Sequence, residues 1–274
     1  MKVNVLDDIV KDTRKRFENK CEQEVIPELA TEEWLKRCSF PLGMNDDGDY
    51  YDLEISLDSR FRKIGETNFR NLYHQIVYIK STPELKQRFT EDLGRVGTTD
   101  GFLAYGYIDN EAGFSFRVLC SATIENNKLL RGKFIKQTGI IIRKSEFNDC
   151  EYIDLSYCDI DTSDFEEYIA MINSCYKCKS QQTEEMRSFG FLDDVRNIDF
   201  PDDIQIILVK EGLQPEQVWG KCWTFTKDEL FAKLLNEPNQ DFGVHNGSVI
   251  GFSPVEQKDG ILCVYTGRQL EEKD

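Results

Sequence analysis

FLAYGYIDNEAGFSFRVLCSATI, residues 102–124, decides the fold class. Two runs rich in aromatic and β-branched side chains, FLAYGYI and FSFRVLCSATI, flank DNEAG (109–113). Asp, Asn and Gly are turn formers, so the stretch reads as a β-hairpin. Further along, Asn126-Asn127 precedes LLRGKFIKQ, GIIIRK follows, and EYIDLSY closes the series. Short strands joined by short turns predict an antiparallel β-meander over residues 102–156. Upstream, QIVYIK (75–80) is a further strand, and alternating Tyr51, Leu53, Ile55 and Leu57 have strand spacing.

Helices frame these strands. Leu6, Ile9, Val10, Thr13, Phe17 and Cys21 fall on one helical face, Pro27 ends that run or kinks it, and Thr31 caps a short second helix carrying Trp34 and Leu35. SFPLGMNDDGD (39–49) is a loop by composition. Thr82-Pro83-Glu84 combines a capping hydroxyl, a first-turn proline and an acid near the positive end of the helix dipole, which predicts a helix to about Leu93 with Gly94 ending it. Ser163 and Glu166 have capping-box spacing before a helix whose apolar face carries Phe165, Ile169, Ile172 and Tyr176. The polar stretch KCKSQQTEEMRSFG (177–190) reads as a linker. Beyond it IQIILVK (204–210), QVWGKCWTFT (217–226), ELFAKLL (229–235), SVIGFSPV (248–255) and ILCVYTG (261–267) are strand candidates. The expectation is an α+β chain: an N-terminal α+β domain (1–180) of helices with the meander, then a small β-rich domain (191–274) folded as a twisted sheet or barrel.

Charge narrows the function. The 274 residues hold 50 Asp+Glu against 34 Lys+Arg, a net −16. Such a surface repels phosphate backbones and anionic membranes, so neither nucleic acid nor membrane is expected as a partner. Two readings of the charge remain: a solubilising surface, or a docking face for a basic partner whose encounter rate opposite charge would raise. The opening residues MKVNVLDDIVKDTRKRF lack an apolar core for a secretory leader, and no apolar run approaches the roughly 20 residues that span a bilayer. A cytoplasmic protein is expected, with its nine cysteines as free thiols acting as small core hydrophobes.

Several chemistries fail on spacing. Cys175-x-x-Cys178 falls at a helix C-terminus, where the dipole does not lower a thiol pKa. Cys150 and Cys158 are the remaining candidates to complete a zinc site with it, and ordinary thiols are preferred. The two histidines, His74 and His245, cannot make a histidine metal cluster, and His74 sits in an apolar segment as a structural residue. Asn45–Asp49 and Asp159-Ile160-Asp161 do not match the ligand spacing of an EF-hand. Gly94, Gly97 and Gly101 lie between a helix and a strand, the reverse of a phosphate loop. No cofactor and no metal is expected.

The exception is LLNEPNQDFGVHNG, residues 234–247. Asn236, Pro238, Asn239, Gly243 and Asn246-Gly247 are turn residues, yet the loop also holds Glu237, Gln240, Asp241, Phe242 and His245. Polar loops on rigid strands carry binding function, and they also bond their own backbone; both readings apply here. With Trp219 on the preceding strand, Asn236, Glu237, Asn239, Gln240, Asp241, Phe242 and His245 are the candidate binding residues.

VWGKCWTF, LLNEPNQDFGVHNG and SVIGF together resemble a small bacterial domain family with a V-W-V, L-N-E-P and G-D-x-I-x-F pattern, over about residues 204–274. Gly247-Ser248 stands where that family has Gly-Asp. Related domains occur among immunity proteins of toxin systems, and the family has no catalytic residues to carry over. The resemblance and the charge together imply an acidic binding protein that neutralises a basic partner such as a toxin domain. Two alternatives stand beside it: a carboxylate/His hydrolase using loop 236–247, and a counter-defence protein imitating nucleic-acid charge.

Overall fold

The computed structural model describes residues 43–44, 51–52, 61–93, 100–125, 128–132, 140–155, 162–178, 180–258 and 260–270. The helices expected over residues 6–35 lie outside these. The chain is α+β and divides between Lys177 and Cys178 into two compact units.

The first unit contains a small pair, β1 (Gly43–Met44) with β2 (Tyr51–Asp52), and an antiparallel sheet. The sheet runs β3 (Arg62–Lys63), β9 (Glu151–Asp154), β4 (Ile76–Lys80), β5 (Gly101–Asp109), β6 (Gly113–Glu125), β7 (Lys128–Arg131), with β8 (Ile141–Arg143) also on β6. The meander therefore holds only from β4 to β7. After β7 the chain returns to lay β8 beside β6, and β9 crosses to the far side of β4.

The reason lies in β5 and β6. Both faces of β5 are buried from Gly101 to Ile108, so these strands need a covering layer on each side and cannot sit at an edge. One face carries Phe102, Ala104, Ile108, Phe114, Phe116 and Val118, packed with Val77, Ile79 and Leu85. The other carries Leu103, Tyr105, Tyr107, Leu119 and Cys120, packed with Phe165 and Ile172. Leu85 belongs to helix α1 (Pro83–Leu93), whose first turn is capped by Thr82: Leu85 N–H donates to its Oγ1 at 3.2 Å. Ile172 belongs to α2 (Glu166–Cys175). The expected face of α2 is the one that packs, with Phe165 and Ile172 buried and Ile169 and Tyr176 half-buried. α2 is entered through a 3-10 turn at Ser163–Phe165. Gly106 lets β5 approach the preceding turn: a Cβ there would lie 2.1 Å from Leu72 O. His74 sits in that turn, exposed and at φ 59°, with its ring stacked on that of Tyr73 at 3.8 Å.

The second unit is a closed five-stranded barrel of β10 (Asp203–Leu208), β11 (Glu216–Phe225), β12 (Leu230–Leu234), β13 (Val249–Gln257) and β14 (Gly260–Leu270). Neighbours pair antiparallel, and the barrel closes where β10 meets β14 in parallel, Ile207 against Val264. Alternation aims Ile204, Ile206, Leu208, Val218, Leu230, Ala232, Leu234, Ile250 and Phe252 inward. Gly220 keeps the interior passable, because a Cβ there would stand 2.9 Å from both Ala232 Cβ and Ile206 Cδ1.

The stretch expected as a linker, 177–190, holds helix α3 (Gln181–Arg187). Its polar sequence hides three buried side chains. Met186 joins the barrel core, Thr183 donates to Cys222 O and Trp223 O, and Arg187 forms a buried two-bond pair with Asp202 (Nε–Oδ1 2.8 Å, Nη2–Oδ2 2.7 Å). Among the described cysteines Cys120, Cys150, Cys222 and Cys263 are buried and none is bridged. Burial pushes the Cys120 and Cys222 thiols up to about 12, which suits core packing and not nucleophilic chemistry.

Candidate functional site

Loop 235–248 joins β12 to β13 across one end of the barrel. Its path is set by groups that bond one another. Asn236 Oδ1 accepts the Trp219 N–H at 2.7 Å and so extends the β11–β12 ladder past its last strand pair. Glu216, at the start of β11, accepts the Asn239 N–H at 2.6 Å, Asn239 Nδ2 at 2.8 Å and the Gln240 N–H at 3.2 Å. Those bonds, the Asn239 N–H first, hold the Glu216 carboxyl below its usual range. Gln240 pairs with the backbone of Gln214 in both directions, and Asp241 Oδ1 accepts the Gly243 N–H at 3.0 Å. Gly243 and Gly247 stand at φ 79° and 88°, where a side chain would be strained. Phe242 and Val244 turn into the barrel core, 5% and 2% exposed.

Glu237 organises the tip. Its Oε2 accepts the Asn246 N–H at 2.7 Å, and its Oε1 meets His245 Nδ1 at 2.7 Å. A carboxylate can only accept, so Nδ1 carries the proton. The Asn246 bond and then His245 lower the Glu237 pKa, and the bond to Glu237 raises that of His245. Both side chains stand in water, His245 74% and Glu237 58% exposed. Ser248 Oγ accepts the His245 N–H at 3.0 Å.

The structure thus brings together all eight candidates, but in different roles. Asn236, Asn239, Gln240 and Asp241 build the loop, Phe242 is a core residue, and Glu237 and His245 form a solvated pair. Trp219 faces outward. Gly220 pairs with Leu234, so Trp219 lies opposite Leu235, and Leu235 N–H donates to Trp219 O at 2.9 Å. Residues directly opposite in an antiparallel pair share a face, which puts the half-buried indole beside the 42% exposed Leu235 on the outer wall. Two residues along, Lys221 and Lys233 are opposite, with Lys233 Nζ 5.2 Å from the Trp223 ring centre.

Sequence reasoning missed Glu216 and Leu235. Glu216 lies more than twenty residues from its amide partners, so nothing local marks it. Leu235 reads as one more apolar residue of a strand.

Among the described residues no three His, Cys, Asp or Glu side chains are grouped to hold a metal. Cys158 lies outside the described residues, as do Asn45–Asp49, Asp159 and Asp161. No described helix is long and apolar enough to cross a membrane. No family model, curated protein or solved structure matches the chain.

Proposed function

We propose that this chain is a cytoplasmic protein-binding protein of the immunity type, which neutralises a basic partner through the outer wall of its barrel. The observation that carries the reading is the Trp219–Leu235 pair, two apolar side chains facing outward beside a pre-built polar loop. An aromatic anchor with a polar rim is how protein interfaces concentrate their energy, and a loop closed by its own hydrogen bonds loses little entropy when a partner docks. Glu237 and Asp241 are exposed on the loop that follows Leu235, and with the net charge of −16 they favour a basic partner. The resemblance of residues 204–274 to immunity-related domains points the same way.

The test is calorimetry of the full chain against the protein encoded by the adjacent gene, at low and high salt. The expected result is binding that weakens with salt and loses about tenfold or more in affinity with Trp219→Ala. Binding that ignores both the salt and the indole would sink the reading.

A carboxylate/His hydrolase is the second reading, favoured by the Glu237–His245 contact alone. Its exposure works against it, since acid–base catalysis gains from a site that excludes water. Esterase or phosphodiesterase turnover abolished by His245→Ala would reverse the preference.

A further inference from the structure

The sheet of the first unit carries a second polar cluster, unrelated to the barrel loop. Tyr107 on β5 lies opposite Ser115 on β6, and Ser115 lies opposite Arg143 on β8. One row away, Tyr105, Arg117 and Ile141 are opposite in the same order. Residues that alternate along a strand and lie opposite across strands share a face, so all six look toward α2. At the end of that helix Tyr176 lays its ring 4.4 Å from the Tyr107 ring, and Arg117 Nη2 is 3.5 Å from its hydroxyl. Tyr105 is engaged elsewhere, donating to Asn173 Oδ1 at 2.9 Å.

The donors in this cluster outnumber the acceptors. Asp109 is the acid that serves it. Its Oδ1 accepts the Glu111 and Ala112 N–H groups of the hairpin turn, and its Oδ2 accepts Arg143 Nη1 at 2.9 Å. Arg143 Nη1 also donates to Ser115 Oγ at 2.6 Å. Arg117 Nε is buried and bonds no described residue, and the buried Tyr107 hydroxyl has no well-formed hydrogen bond. A guanidinium whose Nε is buried without an acceptor is costly, and such a group in a native protein is a place where a water, an ion or a ligand group can be held. Arg143, with 23% of its side chain exposed, and the half-buried Tyr176 leave the cluster open to solvent.

We infer that Arg117, Arg143, Tyr107 and Tyr176 form a binding site for a small oxyanion, a phosphoryl or carboxylate group. Arg117 Nε and the Tyr107 hydroxyl are donors without an acceptor among the described residues, and two positive charges face one carboxylate. Burial, followed by the Tyr176 hydroxyl, raises the Tyr107 pKa against the opposing pull of Arg117 and Arg143, so Tyr107 keeps its proton and donates.

The experiment titrates the full chain with inorganic phosphate and, separately, with acetate, at ionic strength held constant with chloride. Binding is followed by calorimetry and by the arginine Nε–H resonances. Saturable binding of either anion in the millimolar range or tighter, with one arginine Nε–H shifting, is expected, and the anion preferred names the source. Arg117→Met and Tyr107→Phe should each weaken binding about tenfold, while Arg117→Lys keeps a charge and weakens it less. No saturable binding of either anion, or equal binding by the wild type and Tyr107→Phe, would overturn the assignment.

Discussion

In the barrel loop 235–248, Asn236, Glu237, Asn239, Gln240 and Asp241 each bond a backbone or side-chain group of the same unit. On the sheet face, Arg117 Nε and the Tyr107 hydroxyl lie buried without a well-formed partner among the described residues. The loop looks functional in sequence because its polar residues are consecutive, and it is largely architecture. The sheet cluster is scattered over residues 107–176 and looks like ordinary strand and helix sequence, yet it holds two under-satisfied donors. Local density of polar residues measures how hard a segment must work to close a turn. Unmet hydrogen-bonding capacity measures room for a ligand.

The contrast can be broken from the barrel side first. Arg187→Ala leaves Asp202 buried and unpaired, and a loss of about 3–5 kcal/mol is expected in urea unfolding. Arg187→Met with Asp202→Leu should recover most of it. If Arg187→Ala alone cost under about 1 kcal/mol, the barrel would not depend on its internal polar bonds. Asn236→Ala removes the acceptor of the Trp219 N–H and should cost about 2 kcal/mol by the same measurement.

Asp203 is the barrel's own under-satisfied group, since its Oδ1 is buried without a partner among the described residues. Burial raises its pKa from 3.8 to about 6, Lys221 opposing and Asp202 adding. The folded state then holds this proton to a higher pH than the unfolded chain does. Its contribution to stability is complete below about pH 4, falls as pH rises toward 6, and stays low above that. Asp203→Asn should therefore stabilise the protein at pH 7 by about 1 kcal/mol, a figure reduced from the full shift because the carboxyl is only partly buried and faces Lys221. Near pH 3 the two proteins should melt together.

On the sheet side the expectation reverses. Arg117→Met exchanges a poorly satisfied guanidinium for apolar bulk, and stability should change by less than about 1 kcal/mol in either direction. A loss above about 2 kcal/mol would mean that Arg117 is structural. The smallest effect is at the loop tip. A proton NMR titration should place His245 above 6.5, and Glu237→Gln should bring it back toward that value. Any stability from this pair is confined to the window between the two groups: it is lost as pH falls through the lowered Glu237 pKa and again as pH rises through the raised His245 pKa.

Much of the architecture is legible along the chain. All five barrel strands were expected within a few residues of their bounds, because a half-buried wall imposes a two-residue alternation that needs no partner to be seen. Thr82 caps α1 as its position implies, since a cap is a contact within one turn. The helix hidden in 177–190 was missed because only three of its side chains are buried, two of them the polar Thr183 and Arg187. Sequence statistics count such residues as solvent-facing, and only the barrel wall and Asp202 make them internal.

The residues by themselves determined the α+β class, the barrel's strands, the acidic charge and the turn chemistry of the loop, because each follows from neighbours a few positions apart. Tertiary structure alone decided that β9 leaves the meander for the far side of β4, that Ile207 meets Val264 to close the barrel, that Glu216 ties down Asn239 and Gln240, and that Arg117 and Arg143 converge on Tyr107. Those pairings join groups 10 to 77 residues apart along the chain. Their selection depends on burying both faces of a sheet and closing a ring of strands, and neither condition exists until the whole chain has folded.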